Sequence, residues 1–142
     1  MIPIYKFSQG GYKVIGWYEG ECKNGQAHGQ GKCNYINVKD NRPHFRDVYV
    51  GEWKDGKRDG YGKHSYEESG RNICCSYEGE WKNDKRHGEG TMDHGICSPI
   101  YKGSFKDDKM HGKGKFCQNP DKRGNSFYEG EWKNGKCISG SI

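Results

Sequence analysis

The chain has 142 residues, of which 30% are hydrophobic and 23 are glycine, and its 24 basic and 19 acidic residues leave a net charge of +5. So little apolar material argues against a conventional globular core, and charges of both signs interleave, which argues against a basic tract for nucleic acid. Ten Tyr, five Phe and four Trp concentrate burial in a few large rings instead.

Residues 1–17 come before any clear repeat. Tyr5, Phe7, Tyr12, Val14, Ile15 and Trp17 favour strand, and Gly10-Gly11 offers a turn. This segment reads as a degenerate hairpin capping the array, or as an end that docks on a partner. The apolar start, Met1 to Ile4, is too short for a signal peptide. No run is long enough to span a bilayer, and neither end carries a lipidation signal. These features predict a soluble, cytoplasmic protein, with any membrane contact peripheral. Seven cysteines, an odd number, fit reduced thiols. None stands in a Cys-x-x-Cys pair, so no metal and no cofactor are expected.

From Tyr18 onward one unit recurs. Its clearest copy, YEGEWKNDKRHGEG, runs from Tyr77 to Gly90. Tyr77, Gly79 and Trp81 alternate with Glu78, Glu80 and Lys82, the period of a half-buried strand. Asn83-Asp84 supplies turn chemistry, and Gly88-Glu89-Gly90 opens a second strand with room for rings over the backbone. Copies start at Tyr18, Tyr49, Tyr77, Tyr101 and Tyr128, at intervals in the twenties to low thirties. Such spacing predicts a repeat array of β-hairpins.

Between the first two copies, Asn37 to Asp47 reads as the longest connection, with Pro43 stopping strand pairing. Lys39, Arg42 and Arg46 around His44 and Phe45 make it the first place to expect a specific contact. Repeat one has Cys22 where the others have Trp53, Trp81, Phe105 and Trp132, a packing substitution. Repeat four has Ser104 in the glutamate position. Repeat five, from Tyr128, is incomplete: Ser139 and Ser141 take the places of the paired glycines, and Gly140 is out of register. Its last strand is expected to leave a blunt sheet edge open to self-association.

The copies resemble MORN repeats (membrane occupation and recognition nexus), with their Y-x-G-x-W-x-x-G-x-x-x-G-x-G pattern, from Tyr18 to the C-terminus. The resemblance implies an all-β fold: an elongated, twisted, single-layer antiparallel sheet of stacked hairpins. It divides the chain into a 1–17 cap and five repeats over 18–142. Such repeats keep company with cytoskeletal and ciliary scaffolds, membrane-junction proteins and regulated enzymes, so the resemblance bears on fold more than on function.

No catalytic residues emerge. His28, His87 and His111 recur at one repeat position, where Asp59 replaces them in repeat two, and copies along a ribbon stand too far apart to form one site. The Glu21, Glu52, Glu80 and Glu131 row reads as strand face, with Lys63 and Lys115 as weak cross-strand partners. The expected function is a structural scaffold for protein–protein assembly in a cytoskeletal structure, a ciliary or axonemal one included. Its partner-binding row would be Tyr49, Trp53, Tyr77, Trp81, Tyr101, Phe105, Tyr128 and Trp132. The alternative is a peripheral tether that binds anionic phospholipid through a rim of Lys57, Arg58, Lys85, Arg86 and Lys109. That rim would serve an acidic partner as well, whereas aspartates beside it weaken the lipid case.

Overall fold

A computed structural model describes residues 2–7, 13–39, 42–68, 74–95, 100–118 and 126–141. Among the described residues, eleven strands form one antiparallel sheet in strict sequence order: β1 (Ile2–Phe7), β2 (Lys13–Lys23), β3 (Gln26–Lys39), β4 (Arg42–Lys54), β5 (Lys57–Glu68), β6 (Cys74–Lys82), β7 (Lys85–Asp93), β8 (Ile100–Lys106), β9 (Lys109–Gln118), β10 (Ser126–Lys133) and β11 (Lys136–Ser141). At about 4.8 Å per strand the ribbon is about 48 Å long. Strand β1 pairs with β2 from Ile2 opposite Tyr18 to Phe7 opposite Lys13. Gly10 and Gly11 lie outside the described residues.

The tight ends of the hairpins form one long edge. Each turn places two residues at positive φ: Asn24-Gly25, Asp55-Gly56, Asn83-Asp84, Asp107-Asp108 and Asn134-Gly135. That is type I′ geometry, whose twist matches the flanking strands.

Register aligns the repeat chemistry into rows. Glycines face one another across ten strands: Gly20, Gly31, Gly51, Gly62, Gly79, Gly90, Gly103, Gly114, Gly130 and Gly140. Beside this floor runs a second row, in which Tyr18, Tyr49, Tyr77, Tyr101 and Tyr128 alternate with Cys33, His64, Met92 and Phe116. The tyrosine rings lie back over the glycines. A β-bulge between the glycine of Y-x-G and the residue at the tryptophan position shifts register in repeats one to four, and in repeat five the shift falls at Glu131/Trp132.

Two connections differ from their sequence reading. Asn37 to Asp47 is not an open loop, because β3 continues to Lys39 and β4 starts at Arg42. Pro43 pairs with Val38 beside a register shift at Asn37/Val38, an irregularity that accommodates its missing N–H. Gly140 is not out of register either. The bulge at Glu131/Trp132 brings it opposite Gly130, so repeat five is one residue shorter yet keeps the glycine floor.

Candidate functional site

Rings fill the space above the glycine floor as a continuous zigzag. Tyr18 meets Trp53 at 5.2 Å, Trp53 meets Tyr49 at 5.1 Å, and Tyr49 meets Trp81 at 5.3 Å. The chain of contacts continues through Tyr77, Phe105, Tyr101 and Trp132 to Tyr128, every contact edge-to-face. Each Trp or Phe thus packs on the tyrosine of its own repeat and on that of the repeat before. Cys22, which takes the ring's place in repeat one, has an exposed side chain.

Polar atoms of the rings are satisfied by the bulges and the floor. Tyr18, Tyr49, Tyr77 and Tyr101 donate their hydroxyls to the carbonyls of Glu21, Glu52, Glu80 and Ser104, at 2.6 to 3.1 Å. The indole N–H of Trp53 donates to the Gly31 carbonyl and that of Trp81 to the Gly62 carbonyl, both at 3.1 Å. Seven of the eight residues in the expected partner-binding row, Tyr49, Trp53, Tyr77, Trp81, Tyr101, Phe105 and Trp132, are therefore the buried core of the ribbon. Tyr128, packed edge-to-face on Trp132, is half-buried. Their exposed counterpart is a trough of about 350 Å³ beside the spine, lined by residues including His64, Tyr66, Cys75, Met92 and His94.

The bulge glutamates have a different role from cross-strand pairing. Glu21, Glu52 and Glu80 each accept the backbone N–H of a residue on the facing strand, Gln30, Tyr61 and Glu89 respectively, the last at 2.6 Å. Lys115 instead pairs with Glu129 at 3.3 Å, and Lys63 stands opposite Glu78. Sequence periodicity alone missed this, since the bulge moves each glutamate out of simple alternation. The recurring position of these glutamates within the repeat was the available signal.

Neighbouring hairpins are latched through their turns. The N–H of the second turn residue donates to a carbonyl of the preceding hairpin: Gly56 to Ala27 (2.9 Å), Asp84 to Arg58 (3.0 Å), Asp108 to Arg86 (3.1 Å) and Gly135 to Met110 (2.8 Å). Where the acceptor residue is arginine, the turn residue is aspartate. Asp84 Oδ1 accepts the backbone N–H (2.9 Å) and Nε–H (3.2 Å) of Arg58, and Arg58 Nη2 donates to the Asp84 carbonyl (2.9 Å). Arg86 and Asp108 repeat the arrangement at 2.8, 3.2 and 2.8 Å. The Arg58 guanidinium also lies 4.4 Å from the centre of the Trp81 ring. Beside the latch, His28 Nδ1 and Asp59 Oδ2 accept the N–H groups of Asp55 and Asn83, which assigns those two positions of the recurring His/Asp row to hairpin packing.

Arg58 and Arg86 are thereby drawn out of the rim, held flat against the rings by Asp84 and Asp108. Lys57, Lys85 and Lys109 remain exposed at the tips. They are half of a larger set: Lys54 faces Lys57, Lys82 faces Lys85, Lys106 faces Lys109 and Lys133 faces Lys136, one pair at each of four successive turns. All eight are exposed, and among the described residues none takes part in an ion pair.

The latch yields a stability prediction. Asp84 holds φ +67°, a conformation that costs an alanine about 1 kcal/mol, so Asp84→Ala, which also loses the Arg58 bonds, is expected to destabilise by about 2 kcal/mol. Asp84→Gly combined with Arg58→Met, a copy of the Met110/Gly135 interface, is expected to recover roughly half of that loss in urea denaturation. A second prediction concerns alkali. Burial, and then the nearby Glu89, push the Tyr101 hydroxyl up from 10.0 to about 12, and burial pushes Tyr49 and Tyr77 up as well. A raised folded-state value favours the neutral phenol in the folded protein. This contribution is complete below pH 10.0 and is lost as pH rises towards about 12. Tm is expected to fall across that window, with phenolate absorbance appearing together with loss of the sheet signal.

A family model for the MORN repeat matches residues 18–37, 49–71, 77–95, 101–119 and 128–137, more than half of the chain. The chain belongs to the MORN-repeat family. MORN repeats are non-enzymatic modules, generally scaffolds for protein and membrane interaction, and the matched segments fall on the five hairpins that carry the ring spine. No curated protein matches the chain. Among the described residues no group of His, Cys, Asp or Glu is placed to hold a metal ion, and no helix is long and apolar enough to cross a membrane.

Proposed function

We propose that this MORN ribbon is a non-catalytic scaffold that assembles partner proteins within a cytoplasmic cytoskeletal structure, a cilium or flagellum included. The observation that carries the reading is the ring spine. It joins every repeat into one stiff element about 43 Å long and leaves an outer face and a tip edge with a regular pitch. A surface that repeats at fixed intervals suits partners that are themselves arrayed. Strand β11, whose side chains are exposed throughout, supports end-to-end pairing of two copies as well; a monodisperse monomer in sedimentation at high concentration would refute that pairing.

The lysine tips favour a second reading, a peripheral tether on anionic lipid headgroups, while the engagement of Arg58 and Arg86 removes two cations from it. One experiment separates the readings. Recovery of the tagged protein in a detergent-insoluble cytoskeletal fraction, without flotation on anionic vesicles, is the result expected of the scaffold. Salt-sensitive flotation without such recovery would overturn the scaffold in favour of the tether.

A further inference from the structure

Like charges placed directly opposite each other on paired strands are destabilising, yet four successive hairpins each set two lysines opposite one another beside the turn. Acidic groups nearby are engaged elsewhere. Asp84 and Asp108 hold the two arginines, and the Glu52 and Glu80 carboxylates accept strand N–H groups. Asp55 and Asp107 remain on the edge beside the lysines, too few to neutralise them. The tip lysines are thus left facing solvent, where an acidic group from outside the chain can reach them.

We propose that the tip edge is a docking line for an extended acidic segment of a partner protein, with a carboxylate at about every third residue. The inference rests on the scaffold reading, since it requires a protein partner. Two strands at about 4.8 Å set successive lysine pairs about 10 Å apart, which three residues of extended chain at about 3.3 Å each also span. Shape decides against a membrane. Strands in a sheet are rotated by roughly 20° from one to the next, so the tips wind around the ribbon axis and a flat bilayer meets only a few of them. A flexible polypeptide follows the winding line. Single-stranded nucleic acid is flexible too, but it binds by stacking on open rings, and the rings of this spine are buried.

The test uses the full chain and a fluorescein-labelled peptide repeating glutamate–glycine–serine, read by anisotropy. Phosphatidylserine vesicles and oligothymidine serve as competing probes. Binding that weakens with added salt is expected, with a loss of roughly tenfold or more in Lys54→Glu/Lys82→Glu/Lys106→Glu. That variant replaces three like-charge pairs by opposite-charge pairs, so its Tm is expected to rise, which excludes misfolding as the cause. A control with the same charge change on the outer face, Lys32→Glu/Lys63→Glu/Lys102→Glu, is expected to keep most of the affinity. An unbound peptide, an equal loss in the control, or tighter binding to vesicles or oligothymidine would each overturn the docking line. Cytoskeletal recovery without peptide binding would sink this inference and leave the scaffold standing; peptide binding without recovery would keep the docking line and its protein partner and overturn only the cytoskeletal setting.

Discussion

Gly62→Ala is expected to destabilise the protein by about 3 kcal/mol, near the upper end for forcing one methyl group into a packed core. A Cβ at Gly62 would stand 2.2 Å from the Tyr49 hydroxyl oxygen and 2.4 Å from Cζ. The ring has nowhere to go. Tyr49 is 0% exposed, sits between Trp53 and Trp81 with both contacts edge-to-face, and donates its hydroxyl to the Glu52 carbonyl at 2.9 Å. Moving it would break the spine on both sides. Gly25→Ala is the matched control. Nothing lies within 4 Å of its Cβ, but its φ of +74° leaves about 1 kcal/mol of backbone strain. Urea denaturation of the two variants separates crowding from backbone strain; equal losses would show that the glycine floor is not set by the rings.

Trp81→Ala is expected to cost more, about 4 kcal/mol. The indole is 5% exposed, bridges Tyr49 and Tyr77, donates to the Gly62 carbonyl and carries the Arg58 guanidinium on its face. Its removal also cuts the spine. In a one-dimensional array each repeat is stabilised by its neighbours alone, so β2–β5 and β6–β11 should separate into two units with different amide exchange rates. Trp81→Phe, which copies Phe105 of the next repeat, keeps ring contact but loses the indole bond, and is expected to cost about 1 to 2 kcal/mol. Uniform exchange across the sheet in Trp81→Ala would contradict the linear coupling.

The ring and glycine rows were legible because their determinants are local. Alternation in Tyr77-Glu78-Gly79-Glu80-Trp81 places the rings on one face, and Asn83-Asp84 names the turn. Copies at matching positions then stack in register without further instruction. The same logic fails where a side chain answers to the neighbouring hairpin. Arg58 and Lys57 look alike in sequence, as adjacent cations after a turn. Only the approach of Asp84, 26 residues on, folds Arg58 onto Trp81 and leaves Lys57 in solvent.

The bulges mark a second boundary. Alternation predicts that Glu52 lies on an open face to pair with a lysine, whereas the register shift at Gly51/Trp53 turns its carboxylate to the Tyr61 N–H and its carbonyl to the Tyr49 hydroxyl. A one-residue change in the same bulge rescues Gly140 for the floor. What the chain alone determined, then, was the repeat, the sheet and the ring and glycine rows, since these depend on periodicity within a single hairpin. What tertiary structure decided was which of those residues remain available to a partner. Rings that a sequence presents as contacts are consumed by packing between repeats, and that packing exists only once adjacent hairpins are side by side.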